Sequence, residues 1–131
     1  MPPETRGLLE SCLYVDDLSR SVAFYQHIFG FRAIGNFGRG CALEAGPRQV
    51  LLLFRKGGSL DIPSPHDGAG ELHVAFAIQP EELPVWLEWL ASNGIAVEED
   101  HTWERGGRSI YFRDPDRHLL EVATPGVWPV Y

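Results

Sequence analysis

The chain repeats itself, and this duplication limits what it can fold into more than any other feature. When ESCLYVDDL, Glu10 to Leu18, is laid on HVAFAIQPEEL, His73 to Leu83, Glu10 falls on His73 and Val15 on Ile78, each pair 63 positions apart. Toward the end of each copy Arg48 falls on Arg117 and Leu52 on Glu121, each pair 69 positions apart. The helices of the two copies drift by a two-residue insertion. Each copy reads as one strand, one helix and three further strands, and the Gly-, Pro- and Ser-rich stretch RKGGSLDIPSPHDGAG joins them.

The local signals agree with that plan. GLLESCLYV has the β-branched and aromatic character of a strand. In DDLSRSVAFYQHIFG the spacing predicts a helix with Val22, Ala23, Tyr25 and Phe29 on one stripe, capped by Asp17 or Ser19 and stopped by Gly30. ELHVAFAI alternates, with Leu72, Val74, Phe76 and Ile78 on one face and His73, Ala75 and Ala77 on the other. PEELPVWLEWLASNG predicts a second helix with Leu83, Trp86, Leu87, Trp89 and Leu90 on its apolar side, ended by Gly94. The remaining strands are expected in FRAIGNF, GCALEAG and RQVLLLF, then in IAVEEDHTW, GRSIYFR and RHLLEVA. The expected class is α+β, a single domain over residues 1–131. Module one covers about 7–57, the linker about 57–70, module two about 71–125 and a tail 126–131.

Composition removes several function classes. With 131 residues, 44% of them hydrophobic, the chain can bury a real core. A formal net charge of -7 leaves no basic face for nucleic acid or an anionic membrane, and Arg105/Arg108 and Arg113/Arg117 are isolated pairs. No apolar run approaches the roughly 18–20 residues of a membrane span, and MPPETRGLLE lacks signal-peptide character, so a cytoplasmic location is expected. Cys12 and Cys41 are not paired in the manner of a zinc or redox motif and are read as free thiols.

The run RHLLEVA sets a carboxylate, Glu121, among apolar residues. Burying it ionised costs several kcal/mol or more unless something neutralises it. The repeat brings four positions into correspondence, on the first and last strand of each half: Glu10, Leu52, His73 and Glu121. Three carry ligand-type side chains. An imidazole with two carboxylates suits a divalent ion such as Mn, Fe, Co, Ni or Zn and leaves coordination positions open. Such an ion would offset the burial of Glu10 and Glu121, and Ala75 and Ala77 beside His73 leave room for a bound molecule.

Blander assignments stand beside this one. His73 can be a packed, hydrogen-bonded imidazole, Glu121 can face solvent on an edge strand, and Glu10 can pair with Arg6 or with an arginine across an interface. His27, His66, His101 and His118 read as helix-surface, loop or turn residues. WERGGRS reads as a hairpin turn with a charged tip, since no helix start follows it. The tail TPGVWPVY is apolar enough to cover an edge or a partner.

ESCLYVDDLSRSVAFYQHIFGF, LHVAFAI and YFRDPDRHLLEVATP together resemble the vicinal oxygen chelate superfamily, which includes glyoxalase I, fosfomycin-resistance proteins, extradiol dioxygenases, methylmalonyl-CoA epimerases and bleomycin-resistance proteins. The resemblance spans residues 8–125. It implies two βαβββ modules in tandem forming a cupped mixed sheet with helices on its outer face, and a homodimer whose site uses strands of both subunits. It places Glu10, His73 and Glu121 at metal-ligand positions and gives a ligand carboxylate, Glu121 or Glu10, the role of proton shuttle. Leu52 stands where glyoxalase I members carry a fourth ligand, Glu10 where fosfomycin enzymes and dioxygenases carry histidine, and Arg117 where a glycine is general. Strand alternation then adds Cys12, Tyr14, Phe54, Trp103, Arg108 and Tyr111 as a substrate pocket with an aromatic wall and one cation.

The function expected from the ligand trio is a metal-dependent enzyme acting on a small oxygen-chelating metabolite by lyase, isomerase, transferase or dioxygenase chemistry. The alternative is a non-catalytic protein that sequesters a drug-like compound, as bleomycin-resistance members do; those generally lack the trio.

Overall fold

The computed structural model describes residues 1–131, which divide into two compact units, Met1–Ala69 and Gly70–Tyr131. The linker residues up to Ala69 thus belong to the first unit. No helix is long and apolar enough to cross a membrane.

The first unit contains β1 (Glu10–Val15), α1 (Leu18–Phe29), β2 (Arg32–Asn36), β3 (Gly40–Gly46) and β4 (Gln49–Arg55). Its sheet has the order β1-β4-β3-β2, with β1 parallel to β4 and the other pairs antiparallel. Asp17 caps α1, its carboxylate accepting from the Arg20 amide at 3.0 Å, and Gly30 ends it in the left-handed conformation. Leu13, Val15, Leu43, Leu51 and Leu53 line the buried face. The buried residues of α1 are Ser21, Tyr25 and Ile28. The stripe is therefore rotated from the expected one: Ala23 is exposed, and Ser21 takes a core position that its hydroxyl had hidden from an apolar-spacing rule.

The second unit repeats the plan with β5 (His73–Ala77), a 3-10 turn (Pro80–Glu82), α2 (Leu83–Ser92), β6 (Glu99–Thr102), β7 (Arg108–Arg113) and β8 (Leu119–Ala123). The sheet order is β5-β8-β7-β6, again with one parallel pair, β5 and β8. Ile110, Phe112, Leu120 and Val122 fill the apolar face; Leu83 and Leu90 of α2 are buried, and Trp86 stacks on Phe112. Trp89, expected on the apolar side, is exposed and Leu87 is half-buried, so the helix presents a narrower stripe than its composition suggested. The strand expected over IAVEEDHTW shrinks to four residues.

The duplication extends to the backbone. Glu10 pairs with Val50 in β1/β4, and His73 pairs with Leu119 at the corresponding register of β5/β8. Arg48 and Arg117, matched in the sequence, are the two non-glycine residues with positive φ, 60° and 65°. Arg117 closes a turn in which Asp114 accepts from the amides of Asp116 and His118. His118, expected as a surface turn residue, is fully buried, and its Nδ1 accepts from the Leu72 amide at 2.9 Å.

An L-residue in this left-handed region is strained by about 1–2 kcal/mol, against the ~0.5–1 kcal/mol entropic cost of glycine. Arg117→Gly is therefore expected to raise stability by up to about 1 kcal/mol in urea unfolding, and Arg117→Val to lower it, because a β-branched side chain fits that conformation worst. Leu90→Ala, at a fully buried site of α2, is expected to cost about 2–5 kcal/mol in the same measurement.

Candidate metal centre

The parallel pairing of β5 with β8 places His73, Ala75 and Ala77 on the same face as Leu119, Glu121 and Ala123. The antiparallel partner β7 adds Ser109, Tyr111 and Arg113 to that face, with Tyr111 directly across from Glu121. His73 Nε2 lies 3.2 Å from Glu121 Oε1. Glu121 is buried, its side chain 8% exposed, whereas His73 is about half exposed. The carboxylate therefore faces the core side of the pair and the imidazole faces the opening.

The hydrogen bonds around this pair fix its chemistry. His73 Nδ1 is 2.8 Å from the Leu119 carbonyl oxygen, and because a carbonyl only accepts, Nδ1 carries the proton. In the neutral ring Nε2 then offers a lone pair, and the atom facing it is a carboxylate oxygen, also an acceptor. Two acceptors at this separation repel unless a positive charge stands with them, either a proton on Nε2 or a metal ion bound by both. Typical metal–nitrogen and metal–oxygen bonds of about 2.0–2.2 Å, opened at right or tetrahedral angles, put the two donor atoms about 3.0–3.4 Å apart, so this spacing fits a shared ion. The second carboxylate oxygen, Oε2, accepts from the Ser109 hydroxyl at 2.5 Å. Within the second unit no third His, Cys, Asp or Glu joins the pair in a metal-holding cluster.

Beside the pair, Glu98, Glu99, Tyr111, Arg113 and Leu119 line a cleft of about 490 Å3. Arg113 is not free in it. Its guanidinium holds Glu98 and reaches Glu71 and the Arg117 carbonyl, and its hydrogen bond keeps Glu98 below the usual carboxylate range. The Tyr111 phenol is pushed above its ordinary value of 10, first by burial and then by the charge of Glu121.

The expected pocket residues divide. Trp103, just past β6, donates its indole N–H to the Ser109 hydroxyl at 2.9 Å and so stands behind Glu121. Arg108 does not join them. It shares the face of the buried Ile110 and Phe112, opposite to that of Glu121, and its guanidinium is committed to Asp100, whose carboxyl it holds below the usual range. The expected pocket cation is therefore withdrawn.

In the first unit Glu10, Cys12 and Tyr14 share one face of β1, and their β4 partners Val50, Leu52 and Phe54 share it too. Glu10 and Cys12 are exposed, and Cys12 is a free thiol. Tyr14 and Phe54 are buried rather than open, because the linker folds onto them. His66 bonds the Tyr14 hydroxyl at 2.7 Å, its ring packs edge-on against Phe54, and the Arg39 guanidinium lies over the Phe54 ring. His66 and Arg39 were not legible as partners, since the linker's Gly and Pro content signals a turn-rich path but not where it lands. Ser109 was missed for a similar reason: only the strand register aims its hydroxyl at Glu121.

In metal-free protein the ionisation of Tyr111, followed by ultraviolet absorbance as the difference from Tyr111→Phe, is expected above pH 10 and closer to 10 in Glu121→Gln. The sign follows from the raised folded value: above pH 10 the unfolded chain ionises first, so this phenol's contribution to stability is lost as pH climbs toward its folded value.

Residues 7–122 match the Glyoxalase/Bleomycin resistance protein/Dioxygenase superfamily. Metallothiol transferase FosB of Staphylococcus saprophyticus is 32% identical over 84% of this chain and 71% of its own length. Fosfomycin resistance protein FosX of Listeria innocua is 30% identical over 88% of this chain and 87% of its own. Among solved structures, lactoylglutathione lyase from Agrobacterium tumefaciens superimposes with a TM-score of 0.89 at 31% identity, covering 98% of this chain and 99% of that one. The duplicated sheets, the parallel β5/β8 pairing that puts His73 and Glu121 on one face and these matches agree, and the chain belongs to the glyoxalase/bleomycin resistance/dioxygenase superfamily.

Proposed function

We propose that the protein is a metal-dependent enzyme of this superfamily, working by transferase or lyase chemistry on a small molecule that presents two neighbouring oxygens. The observation that carries it is His73 Nε2 set 3.2 Å from the buried Glu121 Oε1, the spacing of two donors on one ion, while Nδ1 is committed to the Leu119 carbonyl. A packed, structural histidine would normally aim a donor at a carboxylate. Similarity to a metallothiol transferase and to a lactoylglutathione lyase supports the transferase or lyase choice.

In this proposal His73 and Glu121 hold the ion, and Glu10, which the repeat relates to His73, completes the set from a second copy of the chain in a homodimer. Glu10 is suited to that role: it is exposed at the start of an edge strand, directly after the exposed apolar pair Leu8 and Leu9. The bound ion supplies Lewis-acid stabilisation of negative charge that develops on a substrate oxygen. Tyr111, kept neutral by burial and by its contact with Glu121, lines the adjoining cleft beside the ligand pair and helps to position a substrate there. The Glu10 carboxylate oxygens, free of a buried partner, take up or return a proton. Ala75 and Ala77, small and on the same face as His73, leave space for the substrate.

Elemental analysis of untagged protein tests this. Wild type is expected to retain near-stoichiometric divalent metal, and Glu121→Gln and His73→Ala to lose it while keeping their fold by circular dichroism. A wild type that is metal-free and takes up none on incubation with Mn, Co, Ni or Zn would contradict the proposal and favour a metal-independent binder.

A further inference from the structure

Three side chains behind the candidate centre form a one-way line of hydrogen bonds. The Trp103 indole can only donate, and it donates to the Ser109 hydroxyl oxygen at 2.9 Å. Glu121 Oε2 lies 2.5 Å from the Ser109 hydroxyl and, as a carboxylate oxygen, accepts its proton, while the neighbouring Tyr111 phenol also contacts both Ser109 and Glu121. The direction of the line is therefore determined by chemistry at both ends. Ser109 is fully buried, so no water competes for its proton. Trp103 is itself held: the His101 ring packs edge-on against its indole at 4.5 Å, and its amide bonds the Gly107 carbonyl across the hairpin. The turn that carries it is closed further by the Gly107 amide bonding Gly126.

We infer that Ser109, oriented by Trp103, is a positioning residue that occupies Glu121 Oε2 and so presents Oε1 alone to a metal shared with His73. This rests on the proposal that His73 and Glu121 are ligands. A carboxylate restrained to one free oxygen binds through that oxygen. It suits ions smaller than Ca with tighter ligand shells, such as Mn, Co, Ni and Zn, over Ca, which draws on six to eight oxygens and often on both oxygens of a carboxylate. Outer partners of ligating groups typically contribute roughly 10–100-fold in metal affinity.

The test uses the full-length protein, stripped of metal and titrated with Mn alone by calorimetry. It is repeated with Ca, and with Co followed by its visible absorption spectrum. Ser109→Ala is expected to weaken Mn binding by roughly 10–100-fold, narrow the preference for Mn over Ca, and shift the Co spectrum. Ser109→Thr, which keeps the hydroxyl, is expected to restore all three, and Trp103→Phe, which removes the indole donor and part of the ring, to fall between. If wild type binds Mn and Ser109→Ala matches it in affinity, Mn/Ca preference and Co spectrum, the positioning role is overturned and the ligand assignment stands. If wild type binds none of these ions, the ligand assignment itself fails and the positioning role with it. Should Ser109→Ala not fold, Trp103→Phe decides: unchanged affinity and spectrum overturn the role, weakened affinity with a shifted spectrum supports it.

Discussion

A carboxylate buried in a β-sheet is the constraint on which the proposed chemistry rests. Glu121 sits on β8 with its side chain nearly excluded from water, flanked along the strand by the fully buried Leu120 and Val122. Desolvation of an ionised group there costs several kcal/mol, which a single neutral hydrogen bond of about 0.5–1.5 kcal/mol does not offset. Ser109 answers one oxygen and His73 stands at the other. The Leu119 carbonyl, by holding His73 Nδ1–H, turns the imidazole lone pair toward Glu121 rather than its proton. The arrangement becomes favourable when a positive charge is added, as expected of a site built for an ion.

The two units keep one backbone plan while presenting different side chains at matched positions. At equivalent registers unit two has His73 and Glu121, whereas unit one has Glu10 and Leu52. Leu52 stands in unit one where unit two has its carboxylate, and the far end of that face is covered by His66 of the linker on Tyr14 and by Arg39 over Phe54. The same strand order, the same parallel pair and the same left-handed arginine before the last strand persist in both. Backbone constraints have thus outlasted the similarity of the side chains they present.

Much of this was legible before any coordinates. The strand-helix-strand plan followed from alternation in LHVAFAI and from the caps Asp17 and Gly30, because these signals are local. His73 and Glu121 stood out since a polar group in an apolar run needs a physical partner. The helix stripes were placed imperfectly because Ser21 is polar yet buried and Trp89 is apolar yet exposed; tertiary packing, which spacing does not encode, decided both. Arg108 and Tyr111 cannot share a pocket face, because three positions along one strand is an odd spacing that puts them on opposite sides of the sheet. The Trp103–Ser109–Glu121 line joins β6, β7 and β8, and its hydrogen bonds exist only once register is set.

The protonation of His73 nitrogens is the most direct test of the central claim. Two-bond proton–nitrogen correlation spectra of imidazole-labelled protein would be recorded before and after one equivalent of Zn is added. The account predicts that the His73 Nδ1 signal keeps its protonated position throughout, while Nε2 moves to a metal-bound position that is lost in Glu121→Gln. An Nδ1 without its proton, or an Nε2 signal indifferent to Zn, would contradict it.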